Sequence, residues 1–227
     1  MMDLQEHYQK LYDESTIKII ADDYQIDPLI DDPNDLRFGI TLVIRPSEKV
    51  KNNIQLFLNE LKSVEPHQYY YQNQDIHITV MSIISCYQGF QLSSINIDDY
   101  IKIIKKSFAD FNTTRIQFKG VTVSPSCILL QGFMEDDVIN NFRNRLRENF
   151  KNSTLEQSID KRYAIQTAHS TVVRFKELFT HKKDFLKIIE DYRNVDFGTF
   201  KVSSVELVYN DWYQREKKVK KLTVFKV

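Results

Sequence analysis

Two histidines open the same four-residue pattern: His77-Ile-Thr79-Val80 and, ninety-two positions later, His169-Ser-Thr171-Val172. Each sits in an apolar, β-branched run that reads as a strand. Alternate side chains of a strand share a face, so His and Thr two apart project together while Ile78, Val80, Ser170 and Val172 face away. The chain must therefore fold so that two distant strands each present an imidazole beside a hydroxyl. Side by side, they would enclose two imidazoles for proton transfer and two hydroxyl donors for an anion, a set suited to phosphoryl transfer by general acid and base. Two other readings compete. Each histidine could be a core residue satisfied by backbone groups. Metal binding would call for a His-Glu-x-x-His, paired cysteines or an acidic ligand string, and none accompanies either histidine, so no metal and no cofactor is expected.

The strands need a scaffold, and the rest of the sequence supplies one. Residues 38–44 form an apolar strand stopped by Arg45-Pro46, followed by a helix with Val50, Ile54, Phe57, Leu58 and Leu61 on one face. The first site strand is expected over 76–84, a helix over 97–111, and a hairpin of 115–123 with 127–133 about Ser124-Pro125-Ser126. A helix over 136–150 carries Val138, Phe142, Leu146 and Phe150 on its apolar face, and Arg143, Arg145 and Arg147 read as solvated. The second site strand follows over 168–175, then a helix around Phe185 to Tyr192, then strands over 197–208 and 218–227 that close the second lobe. The fold class is α+β: a bilobal, duplicated domain over 38–227, with two antiparallel β-sheets lining a central cleft and helices packed outside. Residues 1–37 differ in character, with a short amphipathic helix about Leu4, Tyr8, Leu11 and Tyr12 and then an acidic stretch. They are expected to pack on the domain as an extension.

Charge narrows the partner. Lys plus Arg equals Asp plus Glu at 31 each, so no net basic field exists to hold a duplex. A nucleotide or an RNA terminus is the better fit. Cys86 and Cys127 lack metal or redox spacing and read as buried thiols of a reducing compartment. The first ten residues are not basic-then-apolar, and no run of eighteen apolar residues occurs, so a cytoplasmic, membrane-free protein is expected, as a monomer.

The paired His-x-Thr-x segments resemble those of the 2H phosphoesterase superfamily, which includes bacterial 2′-5′ RNA ligase-like proteins, phosphodiesterases acting on 2′,3′-cyclic phosphates, and the AMP-binding central domain of some kinase-anchoring proteins. The strand FGITLVIRP, the double strand from Gly120 to Gly132 and the closing strands after Asp196 follow the order of that family, over roughly residues 37–227. The resemblance implies His77 as general acid and His169 as general base, although the near-symmetry of the motifs leaves their order open and ligation would exchange the roles. Thr79 and Thr171 would donate to nonbridging phosphate oxygens.

Further residues complete the expected site. Arg174 follows His169 by five positions, so alternation points it away from the pocket, yet its long side chain near a strand end can swing to the mouth. There it could clamp phosphate, or else form a surface ion pair. Aromatic platforms for a base are sought in Trp212 and Tyr213, in a turn resembling one in the ligase-like relatives, and in Tyr71 of the Tyr69-Tyr70-Tyr71 run; packing is the competing role. The basic tract from Arg215 to Lys221 reads as a solvated turn or a guide for a phosphate chain. The function implied is metal-independent cleavage of 2′,3′-cyclic or 2′-5′ phosphodiester bonds. The alternatives are a nucleotide-binding module without turnover and a carbohydrate-modifying enzyme using the same two histidines.

Overall fold

The computed structural model describes residues 3–227. Helix α1 (Leu4–Ile20) starts where the Asp3 carboxylate accepts from the backbone N–H groups of Gln5 and Glu6. It buries Tyr8, Tyr12, Ser15 and Ile19, four residues at helical spacing. Then come β1 (Arg37–Ile44), α2 (Glu48–Val64), the two-residue β2 (Tyr69–Tyr70) and β3 (Ile78–Gln88). Next are α3 (Ile97–Phe108), β4 (Arg115–Ser124), β5 (Cys127–Met134) and α4 (Val138–Lys151). The chain finishes with β6 (Ser170–Arg174), α5 (Lys182–Asp191), β7 (Asp196–Lys201), β8 (Ser204–Asp211) and β9 (Lys220–Lys226).

The molecule is α+β, with a four-stranded sheet in the order β3-β1-β8-β9 and a five-stranded sheet in the order β2-β6-β5-β4-β7. All neighbours in both sheets are antiparallel. The two sheets are not the two halves of the sequence. Residues 197–208, expected as one strand, break at Val202 and Ser203 into β7 and β8, which lie in different sheets. Val202 is buried and its N–H donates to the Thr114 carbonyl, so the chain turns out of one sheet there and enters the other. The final hairpin therefore completes the sheet that carries His77. β2 and Tyr71 make the reverse exchange and pair with β6 in the sheet that carries His169.

Helices α2 and α5 pack together, with α2 on β7, while α3 packs on α4 and β9. Helix α1 lies against β4. There the Thr122 hydroxyl donates to the Tyr8 carbonyl at 3.0 Å, and the Tyr8 ring meets Phe133 edge-on at 5.7 Å. The extension continues into the core. Ile30 is buried, Gln25 and Asp27 donate their backbone N–H groups to Pro125 and Phe175, and Tyr24 packs on Phe175 and Phe179. Each fully buried aliphatic or aromatic side chain is worth about 1.5–3 kcal/mol, so residues 3–37 add substantially to the same core. No helix among the described residues is long and apolar enough to cross a membrane.

Candidate active site

His77 leaves a single 3-10 turn (Asn73–Asp75) and enters β3. Its Nδ1 lies 2.7 Å from the Asp75 carbonyl oxygen. A carbonyl can only accept, so Nδ1 carries the proton and Nε2 keeps its lone pair. The Asp75 carboxylate accepts from the Glu216 N–H at 2.8 Å and pins this turn to the end of the last hairpin. Burial pushes the imidazole from 6.5 down to about 4, opposed by the Asp75 hydrogen bond and reinforced by the charges of Arg45 and Arg174.

Beyond His77 the strand does not alternate as simple periodicity would have it. The register with β1 skips Val80 and again Ile83. Each skip is a bulge that turns two consecutive residues inward. Thr79, Ser82 and Ser85 are consequently half-buried on the cavity side, separated by the buried pairs Val80-Met81 and Ile83-Ile84. Gly39 on β1 makes room for this, since a Cβ there would sit 2.2 Å from the Ile84 carbonyl oxygen.

His169 stands just before β6. Its Nδ1 lies 2.6 Å from the Thr167 hydroxyl instead of a main-chain carbonyl. Burial again lowers the imidazole to about 4, helped by the positive charge of Arg143 and by His7. A register skip at Val172 in the pairing with β5 buries Val172 and Val173 together. Alternation breaks there, and Arg174 falls on the same side as Thr171 instead of the opposite one. The bulge is the physical reason that the expected orientation of Arg174 is corrected: it needs no swing to reach the pocket.

The two segments lie in different sheets and meet at the junction, where the Ser170 hydroxyl donates to the His77 carbonyl at 2.7 Å. A cavity of about 750 Å³ opens between them and is lined by His77, Thr79, His169, Thr171, Arg174, Tyr71 and Trp212, among others. Arg143 bolts the junction from behind. Its guanidinium donates to the carbonyls of Val80 (3.0 Å), Thr79 (3.1 Å) and Thr167 (2.9 Å) and to the Asn140 side chain (2.9 Å). The solvated face expected for the α4 arginines is thus wrong for Arg143, which is fully buried and lowered by burial to about 10, still a cation at neutral pH. The signal was in the spacing: Arg143 lies four after Ile139 and three before Leu146, within the buried stripe.

The aromatic candidates divide. Trp212 is half-buried on the cavity wall, with the guanidinium carbons of Arg37 and Arg162 at 4.7 and 4.6 Å from its ring. Tyr71 lines the cavity but is 1% exposed, and its hydroxyl accepts from Arg174 Nε at 3.0 Å, so it steadies the arginine and offers no face for stacking. Tyr213 does not reach the cavity. It is buried, accepts from Arg37 and donates to Asp27, because the turn after β8 folds it back under the extension. Arg215 is likewise structural, bound to Asp211 and the Ile30 carbonyl. Sequence reasoning missed His7, Tyr8 and Leu11 of α1 and Arg162 of the segment before β6, all of which line the cavity. No spacing within α1 points to a partner more than a hundred residues away.

The sequence matches no family model and no curated protein. Solved structures do match. TT0787 of Thermus thermophilus superimposes with a TM-score of 0.55 at 15% identity, covering 82% of this chain and 96% of its own. E. coli LigT, complexed with 3′-AMP, gives 0.54 at 8% identity over 84% of this chain and 98% of LigT. The chain has the LigT fold. A further structure, of a phosphoesterase, gives 0.53 at 11% identity over 84% of this chain and 98% of that one.

The LigT fold accounts for nearly the whole of those neighbours but leaves part of this chain unmatched. In this version of the fold the imidazoles of His77 and His169, the hydroxyls of Thr79 and Thr171 and the guanidinium of Arg174 lie around a space large enough for a nucleotide. That set can move a proton on, move a proton off and hold an anion between. Among the described residues no three His, Cys, Asp or Glu side chains gather as a metal site.

Proposed function

We propose that this chain is a 2H phosphoesterase that cleaves 2′,3′-cyclic or 2′-5′ phosphodiester bonds of RNA ends, oligonucleotides or small nucleotides by general acid–base catalysis without a metal. One observation carries the reading. Both His-x-Thr segments open on one cavity, His77 with its Nδ1 bound to a carbonyl and His169 with its Nδ1 bound to a hydroxyl, which leaves two Nε2 atoms for a substrate. The fold shared with LigT, which has been crystallised with 3′-AMP, supports a nucleotide as the occupant.

The second-sphere contacts support an order of roles. A main-chain carbonyl behind Nδ1 favours the charged imidazolium, and His77 has one. His169 has only a hydroxyl behind it, which leaves it a neutral base; cations stand near both rings, Arg45 and Arg174 by His77 and Arg143 by His169, so the difference lies in the Nδ1 partner. In cleavage of a cyclic phosphate, His169 Nε2 takes a proton from water as the water oxygen bonds to phosphorus. The bond from phosphorus to one ribose oxygen breaks, and that oxygen takes the Nε2 proton of His77, which enters the step as the imidazolium because the bound phosphodiester anion offsets the cost of charging the buried ring. Thr79 and Thr171 donate to the nonbridging oxygens as negative charge grows on them, and Arg174 holds the anion in place. Trp212 offers its ring to the base once the exposed Arg162 moves aside.

The test is turnover of a panel of nucleoside 2′,3′-cyclic phosphates and a 2′-5′ dinucleotide in chelator. His77→Ala and His169→Ala should each lose about 10²–10⁴ in kcat, the usual worth of a positioned acid or base. Full activity in both variants would sink the assignment. Tight nucleotide binding without turnover in the native protein would make the chain a binding module instead.

A further inference from the structure

Two features of the cavity are left over once the scissile phosphate is held. The first is a row of hydroxyls. The bulges of β3 bring Ser82 and Ser85 to the cavity side beyond Thr79, with Ser82 at most about 10 Å along the strand from it, one nucleotide's reach. Ser158, from the segment before β6, joins the row: its hydroxyl accepts from the Ser85 N–H at 2.6 Å, and its own N–H donates to the Ile83 carbonyl at 2.8 Å. Having accepted a backbone hydrogen, that hydroxyl keeps its proton to give. The second feature is a cation. Arg162 lines the cavity, is exposed, and forms no ion pair among the described residues. Asp160, the one acid among the described residues of the cavity wall, is already held by Arg147 at 2.5 Å. Arg147 also donates to the Ile165 carbonyl at 2.9 Å, and the Tyr100 hydroxyl donates to the Glu156 carbonyl at 2.8 Å. The backbone on both sides of Arg162 is thus tied down while its guanidinium rests 4.6 Å from the centre of the Trp212 ring.

We propose that Arg162, with the hydroxyls of Ser82, Ser85 and Ser158, forms a second phosphate subsite, so that the preferred substrate carries another phosphate on the 5′ side of its terminal nucleotide. That makes it the 2′,3′-cyclic end of an RNA chain or a 5′-phosphorylated nucleotide, in preference to a bare nucleoside cyclic phosphate. This rests on the phosphoesterase reading above and narrows its substrate. Charge carries the argument. Arg174, set by Tyr71, answers the phosphate between the histidines, and Arg162 is a further guanidinium on the same wall with no acid to balance it. An unbalanced cation beside a row of hydroxyl donors fits an anion better than a neutral group, and a guanidinium can grip two phosphate oxygens at once. Ser124 also lines the cavity, but its hydroxyl is engaged by Cys127. The move that uncovers Trp212 for the terminal base is the same move that carries Arg162 from the ring to the phosphate, so stacking and phosphate binding come together.

The experiment compares kcat/KM of the full chain on three substrates with the same terminal base: a nucleoside 2′,3′-cyclic phosphate, its 5′-phosphorylated form, and a dinucleotide whose internucleotide link is a neutral methylphosphonate. In the native protein the 5′-phosphate should raise kcat/KM about tenfold or more, the worth of one charge-assisted contact, and the neutral dinucleotide should not. Arg162→Ala should bring that ratio to within about twofold of unity, Arg162→Lys should keep part of it, and Ser82→Ala should lower it about threefold, as for one lost hydrogen bond. The ratio is read within each variant, so a general loss of rate cancels. A ratio near unity in the native protein would overturn the proposal, as would one that survives in Arg162→Ala or one that the neutral dinucleotide reproduces. If the native protein turns over no phosphodiester, the function proposed above fails on its own, and calorimetry with a nucleoside 3′-phosphate against the 3′,5′-bisphosphate then decides the subsite by the same ratio in Kd.

Discussion

The two His-x-Thr segments are nearly identical in sequence and differently built in space. The first leads into β3, whose bulges bring Ser82 and Ser85 to the same cavity side as Thr79, and its histidine is backed by the main chain. The second leads into the five-residue β6, and its histidine is backed by a side-chain hydroxyl, that of Thr167. Both imidazoles face the cavity with the same lowered proton affinity. What separates them is what stands behind Nδ1. A carbonyl stabilises the charge that an acid must carry, while a hydroxyl can be oriented to keep a base neutral. A sequence motif repeated twice thus yields two unlike chemical positions.

The largest expected effect breaks this comparison most directly. A p-nitrophenyl phosphodiester has a leaving oxygen that departs without a proton, so it has no need of the acid. With this substrate His77→Ala should recover to within about tenfold of the native rate, whereas His169→Ala should stay down by about 10³. Steady-state kinetics of both variants on both substrates gives four numbers. Rescue of His169→Ala in place of His77→Ala would exchange the roles.

A second prediction asks whether the two segments are one unit. Arg143 joins them through the carbonyls of Thr79, Val80 and Thr167, all from a buried guanidinium. Arg143→Met keeps much of the volume but strands those carbonyls away from water. Unfolding in urea should show a loss of about 3 kcal/mol, since each stranded buried acceptor costs about 1–3 kcal/mol. A loss under about 1 kcal/mol would mean that the segments hold their places without it.

How much of this was legible beforehand follows from the range of each signal. Alternation within four residues was enough to set His77 with Thr79 and His169 with Thr171 on the cavity side. It failed at Arg174, because a bulge depends on the partner strand and leaves no mark in the strand itself. Helical spacing held the position of Arg143, but composition alone suggested a solvated residue, and the charge is in fact satisfied by carbonyls of two other segments. The strands were legible and their allocation to sheets was not: nothing in residues 196–211 states that the break at Val202 sends β8 to pair with β1. Helical spacing marked Tyr8 as a packing residue, but its place on the cavity wall had no local signal, since its partner Gly132 lies 124 residues away.

The smallest prediction concerns pH, and it sharpens the comparison from the side of stability. Both histidines take up a proton near 6.5 when exposed but only near 4 in the fold, because burial penalises the charged ring. Between those values the unfolded chain binds more protons than the folded one, so stability rises with pH and is lost as pH falls from about 6.5 toward about 4. Each imidazole adds up to one proton to the slope. His77→Gln and His169→Gln should each remove part of it in urea titrations across that range, beyond whatever the carboxylates contribute to both. Inorganic phosphate should flatten the slope in the native protein, because an anion between the rings offsets the cost of charging one of them. The carbonyl behind His77 makes it the ring that takes that proton, so phosphate should still flatten the slope in His169→Gln and should lose its effect in His77→Gln. The reverse outcome would place the acid at His169 and undo the assignment that the two hydrogen bonds support.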